Sequence, residues 1–302
     1  MANPDKSPSS EQQVRLMIWT VPRSISTVLA KCLSFVDNSK VFFENYINAY
    51  VLDPVRQLEK YRNAELEEAM GAAVKDISDV AGISAGIDAS ECNYQWVKEQ
   101  LEKAHVGKKF IFCKDMAYTI TDNMEFLPKG YRHLFLIRHP LKVLSSWKRL
   151  YQSLTNLSPD KFSLTDFPTI LFPKGYGFRE MHELFEYVKM EFDQEAIIID
   201  ADDLLQDPKG ILSALFKLIG LPFEEKILHW EAGNAVTELW TIPRFLLQGN
   251  QLGGYYQNAL DSTCFLKPGA LPDRTSVSPD ILPLVDASMP YYEKLYAQHL
   301  SA

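Results

Sequence analysis

Apolar positions along the chain fall into short runs separated by longer stretches of helical period. The run Val14 to Thr20 (VRLMIWT) is β-capable, and VPRSIS then leads into the helical pattern STVLAKCLSF. Lys109 to Cys113, His133 to Ile137 and Ala196 to Asp200 are also apolar, too short for buried helices, and bounded by charge, Gly or Pro. They predict buried strands. Between them, YQWVKEQLEKA, LKVLSSWKRLY (Leu141 to Tyr151), FREMHELFEYVKM and PKGILSALFKLIG predict helices; the last opens with Pro in its first turn and stops at Gly220. Strands alternating with helices predict an α/β chain in three layers, with a central parallel sheet covered on both faces. Residues 233–278 are rich in Gly, Asn, Gln and Pro without a period, which predicts long loops with functional potential. No linker divides the chain, so one domain over 14–302 is expected, after a disordered segment at 1–13.

Composition narrows the function. The 302 residues carry 31 Lys and Arg against 39 Asp and Glu, a formal charge of −8. A broad nucleic-acid footprint would need clustered cations, so none is expected, while a small basic pocket stays open. Cys32, Cys92, Cys113 and Cys264 are scattered without metal or disulfide spacing, and the histidines show no metal spacing either. No apolar run approaches the roughly 20 residues of a membrane span. A cytoplasmic protein with no membrane partner is the expectation.

The segment Val21 to Thr27 sits where a strand hands over to a helix, at the edge of a parallel sheet where ligands bind. A first helix turn has unpaired N–H groups and partial positive charge, and Arg23, Ser24, Ser26 and Thr27 add donors. Such a loop suits phosphate or sulfate. The plain alternative is that Ser24 or Ser26 only caps the helix. Arg23 speaks against it, because a cation there opposes the helix dipole unless an anion is expected. With neither glycine nor lysine, the loop does not fit the pattern of an ATP- or GTP-hydrolysing P-loop.

These residues carry a resemblance. WTVPRSISTVLAKCL resembles the loop that holds the 5′-phosphosulfate in sulfotransferases, and LFLIRHPLKVLSSWKRL resembles their strand, Arg-x-Pro and helix segment. In that segment an Arg and a Ser eight positions later, here Arg138 and Ser146, bind the 3′-phosphate of 3′-phosphoadenosine 5′-phosphosulfate (PAPS). IIIDADDLLQDPKGILSALFKLIGLPF is similar to a third family segment, with Asp202 in the place of a Glu, and PYYEKLY to its closing helix. The resemblance spans Val14 to Tyr296. It implies PAPS as co-substrate, its product 3′,5′-adenosine bisphosphate (PAP), no metal, and a P-loop-like phosphosulfate loop at Arg23, Ser24, Ile25, Ser26 and Thr27. Ile25 stands where the family usually has Gly; a β-branched residue resists positive φ, so the loop is expected to be helical or extended there. Arg138, taken alone, would read as a strand-end arginine paired with a surface carboxylate. Trp147 and Lys148 are expected to serve packing and solvation.

Sulfuryl transfer needs a base for the acceptor and a cation for the charge that shifts to the leaving phosphate. In the glutamate-base families the base follows the first helix; here VFFENY offers Glu44, with Phe42, Phe43 and Tyr46 to desolvate it. A capping or salt-bridged surface glutamate is the plainer alternative. Lys114 in FIFCKDMAY resembles the family's strand-end lysine, and Met116 stands where the phenol and steroid enzymes have a catalytic His, which favours Glu44. Ser262 and Thr263 lie where sulfotransferases keep a loop over the nucleotide, and turn capping explains them as well. Aromatic segments such as FFENYINAY and LFPKGYGF point to a small, partly apolar hydroxyl or amine acceptor. Carbohydrate or tyrosine sulfotransfer, an ATP-dependent small-molecule kinase and a non-catalytic nucleotide-binding protein are the alternatives.

Overall fold

The computed structural model describes residues 13–78, 85–88, 90, 92–192 and 195–301. In chain order these form β1 (Val14–Thr20), α1 (Ser26–Ser34), β2 (Ser39–Phe43), α2 (Asn45–Val51), α3 (Ala64–Ser78), α4 (Tyr94–Glu102), β3 (Phe110–Met116) and β4 (Arg132–Ile137). There follow α5 (Pro140–Thr155), α6 (Phe178–Phe192), β5 (Ile197–Asp200), α7 (Ala201–Gln206), α8 (Pro208–Ile219), β6 (Trp240–Thr241), α9 (Arg244–Gly253), α10 (Gln257–Leu260) and α11 (Leu282–Tyr296). The strands make one six-stranded sheet in the order β5-β4-β1-β3-β2-β6, parallel throughout.

Strand residues alternate between two apolar layers, as the two-residue period requires. Met17, Trp19, Phe42, Ile111, Phe135 and Ile198 pack with Val97 of α4, Leu144 of α5, Phe185 of α6 and Val285 of α11. Leu16, Ile18, Val41, Phe112, Leu136 and Ile199 pack on the other face with Leu29 of α1 and Leu215 of α8. Both faces of the sheet are therefore covered, which is why its strands read as unbroken apolar runs.

The strand and helix expectations hold, with differences of physical origin. β2 and β6 carry too few apolar residues in a row to stand out; β6 is two residues, anchored by Trp240 stacked on Phe43 at 4.3 Å. The stretch 233–278 is not all loop, since it holds β6, α9 and α10. The expected disordered segment covers 1–13; residues 1–12 lie outside the described residues, and Gln13 is instead held by bonds from its amide to the carbonyls of His105 (2.6 Å) and Lys108 (2.9 Å). Among the described residues no helix is long and apolar enough to cross a membrane.

Candidate active site

Parallel register decides which distant residues meet. Thr20 at the end of β1 lies beside Met116 of β3 and Leu136 of β4, and Phe43 at the end of β2 lies beside Lys114. The loop at 21–25, the residues after β2, the end of β3 and Arg138 after β4 thus share one carboxyl edge of the sheet, on both sides of β1.

The loop after β1 is strained. Arg23 (φ 68°) and Ile25 (φ 60°) are both left-handed, so the expectation of a helical or extended Ile25 is corrected. A left-handed β-branched residue persists only where its surroundings over-determine it. The gain is visible in the backbone: among the described residues, the N–H groups of Arg23, Ser24, Ile25, Ser26 and Thr27 find no acceptor. Left-handed turns of this kind gather N–H groups into a concavity that holds anions. Neither serine caps α1, whose N-cap is Ile25 with no side-chain cap bond. The Ser24 hydroxyl turns inward to Val21 O (2.8 Å) and Thr20 Oγ1 (2.7 Å).

Around this loop stand cations. Arg23 Nε donates to Ser146 Oγ (3.1 Å) and its Nη1 to the Tyr255 carbonyl (3.0 Å), while Arg138 Nη1 donates to the Arg23 carbonyl (3.2 Å). Arg138 Nε also meets Asp202 Oδ1 at 3.3 Å, and Lys142 meets Asp202 Oδ2 at 2.5 Å, so the pairing with a carboxylate read as the plain alternative is present as well. Burial lowers the pKa of Arg23, and repulsion from Arg149 and Arg138 lowers it further against the pull of Glu44. Arg149, one turn beyond Ser146 on α5, opens into a cavity of about 790 Å³ bounded by Ser145, Gln152, Phe162 and Asp280. Lys148 is not solvated as expected: it is 3% exposed, bonded through Nζ to the Phe162 carbonyl and to Asp280 Oδ2 (2.9 Å). Trp147 packs edge-on against Phe172 as expected.

Across the loop, Glu44 and Lys114 are in direct contact, Nζ to Oε1, and both side chains are buried. Their backbones are tied too, Glu44 N donating to Lys114 O at 2.8 Å. Glu44 is left-handed (φ 56°) and is the N-cap of α2, yet its carboxylate makes no cap bond. Asp115 takes that role, accepting from Tyr46 N (2.6 Å) and Ile47 N (3.2 Å) as well as Met116 N (2.9 Å). With the helix capped by a neighbour, Glu44 is free to face the site. Burial, then the charge of Glu44, raises the pKa of Asp115 to about 7 against the N–H bonds that lower it. Beside Glu44, the Asn45 amide is buried with neither polar atom partnered.

Sequence reasoning missed Tyr256, whose hydroxyl donates to Glu44 Oε2. Nothing in GGYYQ marks it; only the return of the chain after α9 brings it there. Ser262 and Thr263 are engaged within the fold: Ser262 Oγ donates to Ala259 O (2.7 Å), and Trp230 donates its Nε1–H to Ser262 O (2.8 Å) and its backbone N–H to Thr263 O (3.0 Å). Lys31 Nζ closes this turn, donating to Leu260 O (2.6 Å) and Ser262 O (3.0 Å).

Residues 188–299 match the family described as Sulfotransferase domain. That match takes in two of the segments that carry the resemblance, the one from Ile197 to Phe223 and the closing helix at Pro290 to Tyr296. The matched sulfotransferase segment takes in Asp202 and Tyr256, whereas Arg23, Glu44, Lys114, Arg138 and Ser146 precede it. Among curated proteins, the branched-chain-amino-acid aminotransferase-like proteins 2 and 1 of Arabidopsis thaliana are 24% identical over 217 residues and 25% over 216. These alignments cover 71% and 70% of this chain but 31% and 33% of the relatives, so the chain spans about a third of their length. Among solved structures, the sulfotransferase domain from the curacin biosynthetic pathway is 18% identical, covering 91% of this chain and 98% of that one (TM-score 0.44). A retinol dehydratase in complex with androsterone and inactive cofactor PAP is 12% identical, covering 96% and 82% (TM-score 0.44). Scores at this level leave the argument to the side chains above and to the domain match.

Proposed function

We propose that this protein transfers the sulfuryl group of PAPS to the hydroxyl or amine of a small, partly apolar acceptor in a cytoplasmic setting. The observation that carries the reading is the single sheet edge on which a strained loop of unpartnered N–H groups and an arginine cluster adjoin a buried Glu44–Lys114 pair. Those residues fit the co-substrate. The loop amides with Arg23 suit the 5′-phosphosulfate, and Arg138 with Ser146 suits the 3′-phosphate; charge-assisted contacts of this kind contribute roughly 1.5–3 kcal/mol each. Ser262 and Thr263 keep a place on the nucleotide side from the family resemblance, while the bonds they make run to Ala259, Trp230 and Lys31.

In this mechanism Glu44 accepts the proton of the acceptor as the acceptor's heteroatom attacks sulfur in line. The new bond forms to sulfur as the bond from sulfur to the phosphate oxygen breaks, and the electron pair leaves on PAP. Lys114 and the loop amides neutralise the charge that builds on the sulfonyl and phosphate oxygens. Tyr50, Met116 and Tyr118, which pack together with Ile47 and Ile170 next to the ends of α2 and β3, supply an apolar wall for the acceptor.

Calorimetric titration with PAP, AMP and ATP with magnesium tests the reading without an acceptor. Tight binding of PAP, lost with AMP, is the expected result. Preference for ATP with magnesium would return the kinase alternative, and no nucleotide binding at all would end the proposal.

A further inference from the structure

The segment that follows α9 touches both halves of the site. α9 ends at Gly253, and Gly254 is left-handed (φ 61°), which turns the chain sharply back toward the sheet. The neighbouring glycines make room for the strap that results: a Cβ at Gly249 or Gly253 would stand 2.8 Å from the Tyr255 ring. Tyr255 then offers its carbonyl to Arg23 at 3.0 Å. Tyr256 is fixed from two directions, its N–H on Asn250 Oδ1 (2.6 Å) and its ring edge-on to Phe43 (5.3 Å between centroids). Its hydroxyl ends on Glu44 Oε2. Burial and the adjacent Glu44 charge hold that phenol well above its ordinary pKa, so it stays a donor throughout the working pH range.

Glu44 is therefore gripped on both oxygens, by Lys114 on Oε1 and by Tyr256 on Oε2. The two grips cannot serve transfer equally. An ammonium has three N–H donors, so Lys114 can turn toward a sulfonyl group; where it draws away from Oε1 the hydroxyl still holds Oε2, and among the described residues these are the two side-chain hydrogen bonds of the carboxylate. We infer that Tyr256 is the positioning residue for the base: it anchors Oε2 so that Oε1, covered by Lys114 until the nucleotide arrives, becomes the oxygen that takes the acceptor proton. This inference rests on the sulfotransfer reading above. The acceptor proton moves to Oε1, the phenol keeps its own proton, and no further reactant is needed.

Tyr256→Phe keeps the ring against Phe43 and removes only the hydroxyl. Two readouts are taken on it. In the transfer assay, kcat is expected to fall about 10- to 100-fold, the worth of a hydrogen bond to a charged group, with KM for PAPS nearly unchanged. The acidic limb of the kcat/KM profile is expected to move up by about one pH unit, because losing a donor to the ionised carboxylate favours its protonated form. The second readout needs no activity: ¹³C NMR titration of glutamate carboxyls, with the Glu44 signal assigned by its loss in Glu44→Gln, is expected to show the same upward move. An unmoved Glu44 titration in Tyr256→Phe overturns the inference, whatever happens to kcat. A moved titration in a protein that shows no PAPS-dependent transfer would keep the Tyr256 contact and defeat the sulfotransfer reading instead. Where turnover is seen and the titration moves while kcat stays at the wild-type level, the positioning role is overturned.

Discussion

Ile25 and Glu44 hold left-handed backbone that costs roughly 1–2 kcal/mol per residue for L-amino acids. Both lie at the sheet edge where the chain leaves a strand and enters a helix, and each conformation releases a group for the site: N–H groups at Ile25, a carboxylate at Glu44. Strain of this sort is kept where the geometry is needed. The residue-scale prediction separates the two halves of the site. Glu44→Ala is expected to abolish transfer while leaving PAP affinity within a few-fold of wild type, because the carboxylate is bonded directly to Lys114 and Tyr256, and its pull on Arg23 acts only at a distance. Arg138→Ala is expected to weaken PAP binding by about 10-fold or more, with a smaller effect on turnover at saturation. Side-by-side calorimetry and initial rates check both, and a Glu44→Ala enzyme with normal turnover would sink the base assignment.

At the scale of elements, α2 depends on a residue outside it. Asp115, at the end of β3, satisfies the first N–H groups of α2 and thereby lets the helix begin at Asn45 with Glu44 uncommitted. Removing it in Asp115→Ala leaves those buried donors without an acceptor and is expected to cost about 3 kcal/mol in chemical unfolding. Its ionisation gives a second check. A carboxyl raised to about 7 is favoured as the acid in the folded protein. Its stabilising contribution is fully present below about pH 4, where the unfolded chain titrates, and is lost as pH rises through the folded value. The uncharged Asp115→Asn chain lacks this loss. Its unfolding free energy relative to wild type is expected to climb between those two pH values, and a difference that stays flat would show the carboxyl to be ionised throughout. α9 and α10 illustrate the same dependence on context: α9 is amphipathic but carries two glycines and α10 is only four residues long, and both are held by Leu246, Leu247 and Leu260 buried in the apolar layer that includes Val41, Phe43 and Trp240.

For the molecule as a whole, the site is a junction of segments from the entire length of the chain. Arg23 reaches Ser146 and Tyr255, Lys31 reaches Leu260, and Lys142 reaches Gly269. A ligand bound at that junction stabilises all of these together. PAP at about 100 times its Kd is expected to add about 2.7 kcal/mol to the unfolding free energy of wild type. In Arg23→Ala the same PAP concentration is expected to raise the melting temperature far less. Equal thermal shifts in the two proteins would remove Arg23 from the clamp.

Much of this was legible before any coordinates. Runs such as VRLMIWT and IIID declare strands buried on both faces because a covered parallel sheet has no solvent side to alternate with, and RSIST and RHP mark the proposed loop and the proposed clamp because their spacing is local. Local pattern ends there. The burial of Lys148, the capping of α2 by Asp115 and the hold of Tyr256 on Glu44 each arise between residues far apart in sequence. Strand order and register bring such pairs together, and a one-dimensional pattern carries no information about the neighbour a residue meets across a sheet edge. Which residues could do chemistry was thus a property of the sequence; which oxygen is held, and by what, was decided by the tertiary structure.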